Sequence, residues 1–128
     1  MPIRDVMEMV AEAKAEIESI SPEAALEAQK AGALLVDIRD VRELAREGRV
    51  PGAYHAPRGM LEFWVSPGSP YHKEALSGAD RLILFCAASS RSALAAKAMQ
   101  DMGVEGVAEI EGGFGAWRKA GLPVEEGG

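Results

Sequence analysis

The 128-residue chain predicts an α/β domain with a mostly parallel central sheet of about five strands and helices on both faces. Short apolar runs alternate with segments of helical period, the pattern that right-handed crossovers in a parallel sheet produce. The runs themselves are almost continuously apolar, as strands covered on both faces are. Two of the helical segments stop at glycines, Gly32 and Gly103.

Residues 3–18 read as an amphipathic helix, with Val6, Met9, Val10, Ala13 and Ile17 on one face and carboxylates opposite. Residues 1–20 are therefore expected to hold an N-terminal helix packed on a domain of residues 21–128, with Glu18 to Ile20 a short strand. Ser21-Pro22-Glu23 starts a second helix, with a capping hydroxyl, a proline at the first position and an acid in the first turn. Ala33 to Ile38 forms a buried strand, residues 41–47 a helix, Val50-Pro51-Gly52 a turn and Ala53 to Ala56 another short strand. Residues 59–80 form an irregular excursion. Leu82 to Cys86 is the strongest strand. The next helix runs from Arg91 to Met102 with Leu94, Ala95, Ala98, Met99 and Met102 on one face. Val107 to Ile110 is a last strand, Phe114 to Ala120 a closing helix, and Leu122-Pro123-Val124 with Glu125-Glu126-Gly127-Gly128 a tail.

A hydrophobic fraction of 48% and a charged fraction of 27% describe an ordinary globular domain. The net charge of −6, with acids and bases interspersed, argues against nucleic acid or an anionic membrane as a partner. The single cysteine excludes an intramolecular disulfide and a resolving thiol. Acids break up the N-terminal apolar residues, so no signal-peptide core is present, and Leu82 to Ala88 is too short to span a bilayer. Cytoplasmic residence is the expectation. His55 and His72 have no ligand spacing with each other or with Cys86, so no metal and no cofactor is expected.

The chemistry is expected at Cys86. It ends an apolar strand and is followed by Ala87-Ala88-Ser89-Ser90 and then Arg91 at a helix start. A thiol there faces free backbone N–H groups and the positive end of a helix dipole, a setting that favours the thiolate. Small residues let the amides of residues 87–91 close around the sulfur as a nest does around an anion. The cradle suits one extra atom, the outer sulfur of a persulfide, and the reading requires that the sulfur not be walled off from solvent. Cysteine phosphatases use Cys-x5-Arg, whereas this loop is Cys-x4-Arg with Ser92 next. A cation in the first helical turn opposes the dipole, which gives Arg91 a functional reason to be there. Asp37, Arg39 and Glu43 read as a structural polar cluster at a strand end, and Trp117 as packing.

Four segments in order resemble the single-domain rhodanese family of sulfurtransferases. Leu35-Val36-Asp37-Ile38-Arg39 with Glu43 is similar to the family's first core strand and following helix. Gly48-Arg49-Val50-Pro51-Gly52-Ala53 resembles its Gly-His-Ile-Pro-Gly-Ala turn, with Arg49 at the histidine. Cys86 to Ser92 resembles the active-site loop, and Glu111-Gly112-Gly113 with Trp117 and Gly121-Leu122-Pro123-Val124 the C-terminal signature. The family's loop has glycine at Ser89, for a backbone turn that a Cβ disfavours, and often a basic or aromatic residue at Ser90.

The resemblance implies a rhodanese-like three-layer domain and transfer of sulfane sulfur from thiosulfate or a related donor to a thiol or cyanide through a Cys86 persulfide. Small sulfur donors and thiol acceptors are the implied partners; the oligomeric state stays open. The loop residues Ala87, Ala88, Ser89, Ser90, Arg91 and Ser92 would cradle the sulfur, and the excursion puts Arg58, Phe63 and Trp64 at the rim. The competing reading is a non-catalytic persulfide carrier or partner-binding module, kept open by Ser89. A phosphatase or arsenate reductase is disfavoured by loop length and the missing second thiol.

Overall fold

The structure, a computed structural model, describes residues 2–126. In chain order the elements are α1 (Val6–Glu16), β1 (Glu18–Ile20), α2 (Pro22–Lys30), β2 (Leu34–Asp37), α3 (Val41–Glu47), β3 (Tyr54–His55), α4 (Leu61–Val65), α5 (Glu74–Ser77), β4 (Leu82–Phe85), α6 (Ser90–Asp101), β5 (Ala108–Ile110) and α7 (Gly113–Lys119). The strands form one parallel sheet in the order β1-β5-β4-β2-β3. Helix starts follow the capping chemistry of the sequence. The Ser21 hydroxyl accepts the Ala24 amide at 3.0 Å, and Asp40 and Glu43 complete a capping box on α3.

One sheet face buries Val36, Leu82 and Leu84 under Ala95, Ala96 and Met99 of α6, with Leu61 and Val65 of α4 and Leu76 of α5. The other buries Leu35, Ile83, Phe85, Ala108 and Ile110 against Ala25 of α2 and Phe114 and Trp117 of α7. Each such fully buried aliphatic or aromatic side chain contributes about 1.5–3 kcal/mol of transfer free energy. The excursion over residues 59–80 holds more order than expected: a 3-10 turn over Arg58–Met60, then α4 and α5.

Helix α1 lies outside α6, with Val10 and Ala13 packed on Ala93 and Leu94. Its apolar stripe is wider than its contact. Val6 and Met9 remain 53% and 41% exposed, because α1 rests on one helix and not on a sheet. The same contact corrects the face expected for α6. Covered on two sides, α6 buries Ser92, Ala93, Ala95, Ala96 and Met99, while Met102 is 43% exposed. Among the described residues, no helix is long and apolar enough to cross a membrane.

The central strands β2 and β4 run in register, Asp37 beside Phe85. Their carboxyl ends therefore open at one crest of the sheet, where Cys86 and Arg39 follow.

Candidate active site

Cys86 is the first residue past β4. Two backbone amides converge on its Sγ: that of Ser89 at 3.2 Å and that of Ser92 at 3.4 Å. Ser89 belongs to the expected window of residues 87–91, and Ser92 lies one residue beyond it. The reason is that α6 begins at Ser90, so Ser92 carries one of the first-turn amides that have no partner within the helix. Ala88 is exposed, and Ala87 and Ser90 are half-buried. Cys86 itself is only 1% exposed. The reading of the sequence requires solvent to reach this sulfur, whereas Cys86 is buried in the core cluster with Val36, Ile38 and Ala56.

Ser89 adopts φ +88°, the left-handed backbone region, and is the one non-glycine residue with positive φ among those described. It stands at the N-cap of α6, yet its hydroxyl does not cap the helix. That hydroxyl instead donates to Glu109 Oε1 at 2.5 Å. Ser92 Oγ donates to the same oxygen at 2.8 Å, and Ser19 Oγ donates to Oε2 at 2.5 Å. Glu109 is fully buried in β5. Ser92 Oγ is also 3.6 Å from Cys86 Sγ, an S–H···O contact. A chain of hydrogen bonds thus joins the thiol to a buried carboxylate. Sequence reasoning missed Glu109 and Ser19. The available signal was an acid between Ala108 and Ile110 in a strand that is otherwise apolar, since an ionisable group seldom occupies such a position unpartnered.

The loop is held from its other side by α7. The amides of Phe114 and Gly115 donate to the carbonyls of Cys86 and Ala87 at 2.7 and 3.0 Å. Gly113 permits this approach. A Cβ there would lie 2.4 Å from the Cys86 carbonyl oxygen.

Arg91 projects from the first turn of α6 and makes a two-pronged ion pair with Glu43, at 2.9 and 3.0 Å. That pairing lowers the Glu43 carboxyl to about 2, with the Asp40 backbone amide adding to it against partial desolvation. The guanidinium is raised from its ordinary value by Glu43 first and by the nearby Cys86 second. Arg91 thus both pins α6 to α3 and faces the sulfur. Beside it, Arg39 is fully buried, paired with Asp37 at 2.7 Å, donating to the Gly48 carbonyl and stacked 4.1 Å from the Phe114 ring centroid. Asp37 and Arg39 form a buried polar pair at the strand end, while Glu43, expected in the same cluster, bonds to Arg91 and the Asp40 amide.

The remaining site residues divide. Trp64 packs against the apolar cluster that contains Cys86 and lies under Lys73. Arg58 is engaged by Glu62 at 2.7 Å. Phe63 shares a cleft with Met102, beyond the end of α6 remote from the loop, and makes an edge contact with Tyr71. A second cleft, lined by Arg46, Glu47, Ala87, Phe114, Gly115 and Arg118, borders the loop at Ala87. His55 contacts the Arg39 carbonyl and His72 the Ser77 hydroxyl. Among the described residues, no group of three or more His, Cys, Asp or Glu side chains is arranged to hold a metal ion.

Comparison with known proteins places the chain in a family. The model of the rhodanese-like domain matches residues 21–120. Thiosulfate sulfurtransferase GlpE of Haemophilus influenzae is 33% identical over 107 residues, covering 83% of this chain and 92% of that protein. An uncharacterised protein of Synechocystis is 34% identical over 95 residues, 74% of this chain; the match spans about half, 48%, of that relative's length. Among solved structures, a protein of unknown function from Rhodopseudomonas palustris, described as a possible tyrosine phosphatase, superposes with a TM-score of 0.90 at 47% identity, covering 98% of this chain and 99% of that one. With the family's model matched over most of its length, this chain belongs to the rhodanese-like domain family.

Proposed function

We propose that the protein is a sulfurtransferase that carries sulfur on Cys86. The Cys86 thiolate attacks the outer sulfur of thiosulfate or another sulfane donor. The donor's S–S bond breaks, sulfite or a thiol leaves with the electron pair, and a Cys86 persulfide forms. An acceptor thiol, or cyanide in an assay, attacks the outer sulfur and releases the thiolate again. The observation that carries this reading is the convergence of the Ser89 and Ser92 amides on Sγ, which stabilises negative charge on sulfur in both half-reactions. Arg91, partly neutralised by Glu43, supplies the positive field that attracts an anionic donor. Cys86 is buried, so a donor reaches its sulfur only when the loop moves against the bonds that Gly115 and Glu109 make to Ala87 and Ser89. The GlpE name of one relative agrees with this chemistry. The phosphatase suggested for the Rhodopseudomonas relative requires a wider ring than a Cys-x4-Arg loop forms.

Incubation with thiosulfate followed by intact-mass measurement tests the reading. The expected result is gain of one sulfur atom, absent in Cys86→Ser. Steady thiocyanate formation from cyanide then marks an enzyme; sulfur uptake without turnover marks a carrier. Hydrolysis of an aryl phosphate with no sulfur uptake would overturn the proposal.

A further inference from the structure

The carboxylate of Glu109 has no role in the sulfur-transfer steps above, yet it lies one hydroxyl away from the reactive sulfur. It is fully buried and accepts from three serine hydroxyls. Cations on the surrounding elements are engaged elsewhere: Lys14 of α1 with Glu111, Arg81 with Glu18 of β1, and Lys97 and Arg91 of α6 with Asp101 and Glu43. None of them pairs with Glu109 among the described residues. Of these groups Arg91 also acts on Cys86, and the group that bonds to both the sulfur and the carboxyl is the Ser92 hydroxyl. Thiol, hydroxyl and carboxyl thus stand in series, a path along which one proton can pass between sulfur and oxygen.

We propose that Cys86 and Glu109 share one proton through the Ser92 hydroxyl, with Ser19 connecting the carboxylate to the surface. In the resting arrangement the thiol donates to Ser92 Oγ and Ser92 donates to Glu109 Oε1. On activation the S–H bond breaks and its proton passes to Ser92 Oγ, while the Ser92 proton passes to Oε1. The products are a thiolate, an intact serine and a neutral carboxylic acid, with the charge of the site unchanged. The Ser92 O–H then points at sulfur and adds a third donor to the two amides. Ser19, an exposed residue of β1, donates to Oε2 and gives the pair its route for exchanging the shared proton with water. Glu109 is thus a positioning residue for the thiolate, acting through Ser92. The same carboxylate holds Ser89 in its left-handed conformation, which ties the departure from glycine at this position to the proton partner below it.

The assignment rests on Cys86 being the reactive thiol, and its test reads the thiol itself so that it stands apart from sulfur uptake. Glu109→Gln keeps the acceptor oxygen and removes the charge. The expected result is that iodoacetamide alkylates Cys86 about tenfold faster than in the wild type near neutral pH, since no neighbouring carboxylate competes for the negative charge. Wild-type alkylation should stay nearly level across that range, where one proton only moves within the pair. An unchanged or slower rate in Glu109→Gln would overturn the proposal, and so would an equal speeding in Ser89→Ala, which frees the loop from Glu109 but leaves the carboxyl in place. Should the variant fail to fold, carbon-13 spectra of the wild-type Glu109 carboxyl decide the matter beside thiolate absorbance. Sharing requires both signals to move at the same pH values; independent titrations would refute it.

Discussion

At the scale of single residues, Ser89 is where local strain and site chemistry meet. A left-handed backbone costs a residue with a Cβ about 1–2 kcal/mol. The hydrogen bond from its hydroxyl to a buried carboxylate contributes about 1.5–3 kcal/mol, which offsets the strain. Ser89→Gly should relieve the strain but lose the bond, for a net loss of about 1 kcal/mol. Ser89→Ala keeps the strain and loses the bond as well, and should cost about 2–3 kcal/mol. Urea unfolding of the three proteins checks this order; a glycine variant more stable than the wild type would show that the bond to Glu109 does not offset the strain. Gly113 makes the complementary point. Gly113→Ala would drive a methyl into the Cys86 carbonyl, so a loss of at least about 3 kcal/mol and of sulfur uptake is expected, read by thermal unfolding and intact mass.

At the scale of elements, what the sequence disclosed was whatever short-range physics decides. Caps at Ser21 and Asp40, the glycine stop after α2 and the apolar run before Cys86 are local signals, and each element stands where they put it, within a residue or two. The face of α6 was not legible, because its second covering comes from α1, which lies some eighty residues away in the chain. Glu109 stood out as an acid in an apolar strand, but its partners were out of reach for the same reason: they come from β1, the loop and α6, which only the sheet order brings together. The burial of Cys86 was equally out of reach, since spacing gives loop length and not the direction in which the loop folds. Helix α1 offers a clean test of a layer laid on from outside. Val10→Ala, at its contact with Ala93, should destabilise by about 1–2.5 kcal/mol in urea unfolding while sulfur uptake stays unchanged. Loss of uptake in a folded Val10→Ala protein would mean that α1 governs the loop as well.

At the scale of the whole molecule, the parallel sheet gathers its strand ends at one crest, and ion pairs lock the helices that start there. Glu43 caps α3 and grips Arg91 of α6, so one carboxylate joins the start of α3 to the start of the helix that carries the sulfur loop. Its carboxyl is lowered from an ordinary 4.5 to about 2 by Arg91 first. A carboxylate held low in the folded state contributes stability that is complete above its unfolded value and disappears as pH falls through the folded one. The tether therefore acts in full above about pH 4.5 and is lost towards about pH 2. Glu43→Gln should be less stable than the wild type at neutral pH, and the difference should close as acid protonates Glu43 in the wild type. Arg91, half-exposed to solvent, screens part of this interaction, so the difference should also shrink in high salt. Urea midpoints of both proteins from pH 7 down to about pH 2 decide it: a difference that persists unchanged into acid would mean that the side chain acts by packing and not by charge.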